Sequence, residues 1–231
     1  MNYQQQQREL IEDMAKKVRE LGDCGSTVVK MRKSYESNVE TCLTSVVFLG
    51  DELGQKVQDK IIGPLSAIDP SQYFPPINSL HLTIKNVRTV GDPPLFDSTD
   101  AALAKQVFDR VLPSFHVFDF ELKGLVRFPT SVSLMGYSDS VLYELVSALD
   151  SELKNAGVPD NKKYASEKVF FGNVTVCRFT SQPSEKFLAK IEEMRDLSIG
   201  TLKVKEVQLI TGDIMCSAVS REVLGKYILQ K

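Results

Sequence analysis

The stretch "FFGNVTVCRFT" (170–180) carries the clearest structural signal in the chain when it is compared with "SLHLTIKNV" (79–87). In both, a polar residue is followed by an apolar residue, a threonine and another apolar residue, beginning at His81 in one and Asn173 in the other. This alternation is typical of a β-strand, in which residues i and i+2 point to the same face. We therefore predict two strands that each have one polar and one apolar face.

The period of two assigns particular side chains to the polar faces. On the first strand these are His81, Thr83 and Lys85, and on the second they are Asn173, Thr175 and Cys177. Arg178 is predicted to point to the opposite face from Thr175, so we assign it no role in the site. Threonine is also common on half-solvated strands, so either run alone is compatible with an ordinary structural role.

Composition narrows the classes of function. The 231 residues are 42% hydrophobic and 25% charged, with a net charge of −2, so overall charge gives no reason to expect a nucleic-acid binder, although a local basic groove remains open. No apolar run approaches the ~18 residues of a membrane span, and "MNYQQQQRELIED" has no apolar signal-peptide core. We expect a cytoplasmic protein that does not bind membranes.

Cofactor and metal chemistry have little support in the sequence. Two histidines, His81 and His116, are too few for a histidine-rich metal site. The four cysteines (24, 42, 177 and 216) are scattered and are read as reduced thiols. Neither glycine-rich phosphate-loop pattern is present. We therefore expect neither a metal nor a cofactor.

Residues 1–41 are predicted to form an N-terminal helical extension, with helices at 3–21 and 26–40, and residues 42–231 the main domain. Predicted strands lie at 44–49, 80–87, 116–128, 131–137, 168–179 and 202–211, with short runs near 214–219 and 223–229. Predicted helices lie at 51–68, 100–113, 140–157 and 184–194. Strands that follow a helix in each half favour an α+β fold with two similar lobes over a doubly wound parallel sheet.

These segments together resemble the two-histidine phosphoesterases, the superfamily that includes RNA 2′,3′-cyclic phosphodiesterases and 2′-5′ RNA ligase-like proteins. The resemblance covers roughly residues 42–230 and rests on the order and spacing of four stretches: "FPPINSLHLTIKNV" (74–87), "FELKGLVRFPTSVSL" (120–134), "FFGNVTVCRF" (170–179) and "VKEVQLITGDI" (204–214). It implies a bilobal α+β fold with pseudo-two-fold symmetry and antiparallel sheets lining a central groove.

The resemblance also implies the chemistry of the groove. Each lobe supplies one His-x-Thr strand; the two histidines act as general acid and base on a phosphodiester, two threonines hold its oxygens, and no metal is needed. Here the first motif is intact at His81 and Thr83, and Thr175 matches in the second. Asn173 replaces the second histidine. Lys85, on the predicted face of His81, is our candidate for a further phosphate-binding cation.

Asparagine preserves hydrogen bonding at this position but removes proton transfer, because an amide does not titrate. A positioned acid or base is typically worth about 10²–10⁴ in rate. Three side chains are considered as replacements: His116, and the carboxylates of Glu167 and Asp119 if their pKa values are raised. The sequence "NVT" also fits an N-glycosylation acceptor, and Asn173 as an ordinary strand residue is a further alternative.

Tyr73, before the first motif strand, and Phe128, in the break that the family places near the groove mouth, are candidates for stacking on a base. Packing in the core is the alternative for both. Three functions remain open. They are a phosphoesterase of weakened or altered activity on a cyclic phosphate or RNA end, an inactive module that binds a nucleotide or RNA terminus, and an interaction protein that self-associates through its N-terminal helices.

Overall fold

A computed structural model describes residues 2–35 and 39–231. Across these residues the chain forms one eight-stranded antiparallel sheet with helices packed against it. The strands are β1 (Thr41–Phe48), β2 (His81–Gly91), β3 (Phe118–Phe128), β4 (Ser131–Tyr137), β5 (Gly172–Arg178), β6 (Ser198–Val204), β7 (Glu206–Gly212) and β8 (Glu222–Ile228). The helices are α1 (Tyr3–Leu21), α2 (Gly50–Val57), α3 (Gly63–Ser66), α4 (Ser98–Val111), α5 (Val141–Asn155) and α6 (Glu185–Glu193).

The sheet consists of two halves with matching topology, in the order β6-β3-β4-β5 and β2-β1-β7-β8. In one half, β1 runs through α2, a π-helical turn (Gln58–Ile62) and α3 to β2; in the other, β4 runs through α5 to β5. The strands β2 and β5 meet at the centre, where Leu82 pairs with Val174. The predicted bilobal α+β fold with antiparallel strands is confirmed.

The apolar faces of β2 and β5 form the main core together with the helices. Leu82, Val174 and Val176 are fully buried, and α5 adds a stripe of buried residues at helical spacing: Leu142, Leu145, Val146, Leu149 and Leu153. Gly172 is required at the start of β5, because a Cβ there would lie 2.4 Å from Leu82 Cδ1. Close packing across the seam between β2 and β5 thus explains the glycine that precedes Asn173.

Both central strands contain a β-bulge one residue after their threonine. Ser45 pairs with Lys85 and Val46 with Thr83, so Ile84 has no partner in the β1–β2 ladder. On the other side, Val132 pairs with Cys177 and Ser133 with Thr175, which leaves Val176 unpaired. A bulge shifts every later side chain to the other face of the sheet. The two bulges occupy equivalent places in the two halves of the sheet. They alter which side chains of β2 and β5 share a face with the two threonines, compared with simple alternation.

The N-terminal residues differ from the prediction after the first helix. The predicted helix at 3–21 is present as α1, begun by the Asn2 cap and ended by Gly22 at φ 70°. The predicted helix at 26–40 is wrong where it is described, because 26–35 and 39–40 contain neither helix nor strand. Residues 36–38 lie outside the described residues.

The helix α1 packs on the sheet. Ile11 contacts the side chains of Met135 and Tyr137. The buried Gln7 side chain donates to Phe170 O at 2.6 Å and accepts from Ser138 N at 3.0 Å. The buried part of the α1 stripe, Ile11, Met14 and Val18, is therefore packed within the chain, whereas Leu21 at its end is exposed.

One smaller prediction near the C-terminus is also wrong. The single strand expected at 202–211 is two strands, β6 and β7, which belong to different halves of the sheet. The short run near 214–219 consists of turns, and the run near 223–229 overlaps β8. Within the described part of the chain, no helix has the length and apolar character that spanning a membrane requires.

Candidate functional site

A cavity of about 840 Å³ lies on the face of the sheet opposite the main core. Side chains from both motif strands line it: His81 and Thr83 from β2, and Asn173, Thr175 and Arg178 from β5. We call it the central cavity. Leu82 and Val174 form the register pair between these strands, with their side chains in the main core. Continuing the antiparallel register places His81 across from Thr175 and Thr83 across from Asn173.

The His81 side chain is held in one orientation by a backbone carbonyl just before β2. Its Nδ1 lies 2.7 Å from Ser79 O; because a carbonyl only accepts, Nδ1 carries the proton and Nε2 keeps its lone pair. Nε2 lies 3.5 Å from Cys216 Sγ. Burial lowers the pKa of His81 to about 4, with repulsion from Arg178 and Arg221 adding to the effect. The imidazole is thus neutral near pH 7 with the Nε2 lone pair free, although the lowered pKa makes it a weaker base than an exposed histidine.

Cys216 is one of the residues that the sequence analysis missed. It adopts φ 49°, in the left-handed region that side-chain-bearing residues rarely occupy. The turn that holds it there is organised by the Asp213 carboxylate, which accepts from Met215 N at 2.8 Å and Ser217 N at 3.1 Å. Strained backbone of this kind is often found at functional sites. Nothing in the sequence around Cys216 signals the conformation.

Asn173 lies on β5 and lines the central cavity. Its Nδ2 donates to Ser133 Oγ on β4 at 3.3 Å. The amide is therefore oriented by its neighbour strand and partly buried beside the cavity. It offers hydrogen bonds to a ligand but no titratable proton.

Arg178 belongs to the site, contrary to the prediction from simple alternation. The bulge at Val176 turns its side chain to the face of Thr175, where it lines the cavity. Its Nη2 lies 3.5 Å from Ile214 O, and among the described residues its buried Nε has no hydrogen-bond partner. Burial lowers the pKa of Arg178, yet arginine remains protonated in proteins. A buried cation with an unused donor favours binding of an anion.

Lys85 does not line the cavity, and its predicted place beside His81 is wrong. The bulge at Ile84 turns Lys85 to the helical face, where its side chain is 2% exposed. There its Nζ lies 2.7 Å from Asp150 Oδ1 and 2.8 Å from Asp160 Oδ2. Tyr164 also donates a hydrogen bond to Asp160. Lys85 thus fixes the loop after α5 to β2.

The two predicted stacking residues have different environments. Phe128 lines the cavity and also packs on the cluster of Met14, Val18 and Cys24. Tyr73 does not line the cavity; its ring centroid lies 5.4 Å from that of Tyr35. The aromatic side chains that do line the cavity, and that the prediction missed, are Tyr164, Phe170 and Phe171.

None of the three replacement acids or bases lines the central cavity. His116 is exposed and pairs with Gln230 in an isolated bridge, Asp119 pairs with Lys203 in the β3–β6 ladder, and Glu167 is exposed in the loop before β5. Lys162 does line the cavity, and burial lowers its pKa. Within 2–35 and 39–231, no group of three or more histidine, cysteine or acidic side chains is arranged to hold a metal ion.

Comparison with known proteins agrees with this architecture. No protein-family model matches the sequence, and no curated protein matches it. Solved structures do match over most of the chain. A phosphoesterase has a TM-score of 0.58 at 14% identity, covering 83% of this chain and 99% of that one. E. coli LigT complexed with ATP has a TM-score of 0.57 at 14% identity with the same coverage.

A third match, TT0787 of Thermus thermophilus, has a TM-score of 0.58 at 15% identity, covering 82% of this chain and 98% of that one. Identities this low establish the fold alone. The chain therefore has the fold of the two-histidine phosphoesterases, as the resemblance in its sequence implied.

Proposed function

We propose that this chain is a phosphoesterase-like protein whose central cavity binds a phosphodiester of nucleotide type, such as a 2′,3′-cyclic phosphate, and acts on it with weakened acid–base chemistry. One observation carries the proposal. His81, Thr83, Thr175 and Arg178 all line the same cavity, on the two strands that meet at the pair Leu82–Val174.

Each of these side chains suits one part of a phosphodiester. The hydroxyls of Thr83 and Thr175 donate to non-bridging oxygens, and the Arg178 guanidinium offsets their charge. His81 Nε2, which carries no proton, accepts one from a water molecule that attacks phosphorus. When a P–O bond of the cyclic phosphate breaks, the leaving ribose oxygen must take up a proton. Asn173 cannot supply it, so the second proton transfer falls to solvent and turnover is slow.

A protein of similar fold supports a nucleotide as the ligand. E. coli LigT has been crystallised with ATP, with 3′-AMP and with NADP+. Aromatic side chains such as Tyr164 and Phe170 border the cavity in this chain and suit contact with a base.

A second candidate function is binding without turnover. It is favoured by the Asn173 amide, which is fixed to Ser133 at 3.3 Å, and by the location of His116, Asp119 and Glu167 outside the cavity. The cavity would then recognise the phosphate of a nucleotide or RNA terminus and release it unchanged.

Hydrolysis of adenosine 2′,3′-cyclic monophosphate and of a short RNA with a 2′,3′-cyclic end tests the proposal, with binding measured in parallel. The proposal predicts slow turnover by the wild type, loss of turnover in His81→Ala, and wild-type turnover in His116→Ala, which removes an exposed histidine. Binding with no turnover in any variant would favour the second candidate. Absence of both binding and turnover would contradict the proposal.

A further inference from the structure

The segment from Cys24 to Arg32 forms one wall of the central cavity, and we call it the N-terminal strap. Eight of its residues line the cavity, namely Cys24, Ser26, Thr27, Val28, Val29, Lys30, Met31 and Arg32. It contains neither helix nor strand, so its course is set by contacts with the rest of the chain.

At one end the strap is bonded to the loop that precedes β5. Thr27 N donates to Lys163 O at 2.9 Å, and Lys163 N donates to Thr27 Oγ1 at 2.9 Å. Ser26 Oγ donates to the same carbonyl at 2.9 Å. The same loop is joined to β2, because Asp160 binds Lys85. The strap therefore rests on a part of the structure that is itself fixed.

Two residues further on, the strap is bonded to the turn between β3 and β4. Thr130 Oγ1 donates to Val29 O at 2.8 Å. Beyond it, Arg32 forms an ion pair with Glu40, and Tyr35 OH donates to Phe179 O at 3.3 Å. The strap thus joins two loops that border the cavity.

This arrangement limits what the cavity admits. A volume of about 840 Å³ lies within the range of about 300–1,000 Å³ typical of small-molecule sites. A polynucleotide bound by its terminal phosphate needs an open groove through which the rest of its strand leaves. The strap, held by its hydrogen bonds, walls the cavity between Lys163 and Thr130, so a strand leaving on that side would meet it.

We propose that the N-terminal strap makes the central cavity selective for a free mononucleotide phosphodiester, a nucleoside 2′,3′-cyclic phosphate, over the same group at the end of an RNA strand. This inference rests on the proposed function, because it names the substrate class of the same site. Thr27 and Thr130 are positioning residues in it, since their hydroxyls hold the strap in place.

Calorimetric binding of adenosine 2′,3′-cyclic monophosphate and of an eight-nucleotide RNA with a 2′,3′-cyclic end tests the inference. The wild type should bind the mononucleotide at least about 10-fold more tightly. The double variant Thr27→Val/Thr130→Val removes the hydrogen bond from Lys163 N at one end of the strap and the bond to Val29 O at the other. It loosens the strap without detaching it, since Ser26 and Thr27 N still donate to Lys163 O, and it should reduce this preference to about 3-fold or less, mainly by improving RNA binding. Thr180→Val is the matched control, because Thr180 Oγ1 also joins two segments, at 2.7 Å from Ser71 O, away from the strap.

The wild-type comparison needs no variant, so the test survives a double variant that folds poorly. RNA binding as tight as mononucleotide binding in the wild type would overturn the inference and leave the proposed function intact. A preference that persists unchanged in a folded double variant would also overturn it. Binding of neither ligand would overturn the proposed function, and this inference with it.

Discussion

Leu82 on β2 pairs with Val174 on β5 at the only register position that joins the two strands in the described residues. Both side chains are fully buried on the helical side, so their neighbours on each strand face the cavity. His81 and Thr175 lie on one side of the pair, and Thr83 and Asn173 lie on the other. Each half of the chain thus contributes one polar pair to the same site. The pair from β2 is His81 and Thr83, and the pair from β5 is Asn173 and Thr175.

Asn173→His should increase cleavage of a 2′,3′-cyclic phosphate. The new imidazole would stand across from Thr83 and supply the proton that the leaving oxygen needs, a contribution of about 10²–10⁴ in rate. Initial rates for wild type, Asn173→His and the double variant His81→Ala/Asn173→His measure it. A rate in Asn173→His no higher than wild type, with ligand binding retained, would mean that the cavity does not align a second proton-transfer group with the phosphate.

Arg178→Met should weaken nucleotide binding. A hydrogen bond to a charged group contributes about 1.5–3 kcal/mol, so we expect the Kd for adenosine 2′,3′-cyclic monophosphate to rise about 10- to 150-fold. Arg110→Met is the control, because Arg110 forms an exposed pair with Glu152 on α4 and α5. Equal Kd values for the two variants would exclude Arg178 from the phosphate site.

Lys85→Ala should destabilise the fold. It leaves the Asp160 carboxylate, whose side chain is 4% exposed, without its cation, and loss of one partner of a buried pair costs about 3–5 kcal/mol. Urea unfolding followed by circular dichroism measures the change. Lys105→Ala removes the exposed partner of Asp109, for which we expect about 1 kcal/mol or less. A similar small loss in both variants would contradict the structural role of Lys85.

The stability of the protein should fall in acid partly through His81. Its pKa is lowered to about 4 by burial, with Arg178 and Arg221 lowering it further and Asp213 opposing them. Between about pH 6.5 and pH 4 the unfolded chain binds this proton and the folded chain does not, so lowering the pH favours unfolding. At about 1.4 kcal/mol for each pKa unit, the effect reaches about 3 kcal/mol at pH 4.

His81→Gln removes that dependence. As the pH falls from 7.5 to 4, the free energy of unfolding of the wild type should therefore decrease by about 3 kcal/mol more than that of the variant. His116→Gln serves as the comparison outside the cavity. A difference between wild type and His81→Gln that does not change with pH would show that the imidazole is not desolvated.

The sequence was sufficient for the overall fold because alternating strands, helix stripes and their order are local patterns. Alternation correctly put His81 with Thr83, and Asn173 with Thr175, on one face of each strand because each pair lies before its bulge. That the two faces meet in one groove was implied only by the resemblance to the phosphoesterases. Lys85 and Arg178 lie after their bulges, where the period of two fails, and both were assigned to the wrong face. A bulge depends on how two strands that are distant in sequence pair with each other. The residues of either strand alone therefore do not predict where the bulge lies.

The segment after α1 shows a second limit. Val28, Arg32, Tyr35 and Val39 have helix-like spacing, but the described part of the segment lies along the cavity in an irregular conformation. Its hydrogen bonds go to Lys163 and Thr130, more than 100 residues away in the chain. Tertiary contacts therefore outweighed local spacing there.

The most direct test of the central claim follows the two histidine side chains by NMR during titration with adenosine 2′,3′-cyclic monophosphate. With only two histidines in the chain, each signal is assigned by one substitution, and exposed His116 serves as an internal control. The account predicts that the His81 resonances shift with saturation, that the bound anion raises the pKa of His81, and that His116 does not respond. A His81 signal that stays unchanged at millimolar ligand would contradict phosphodiester binding in the central cavity.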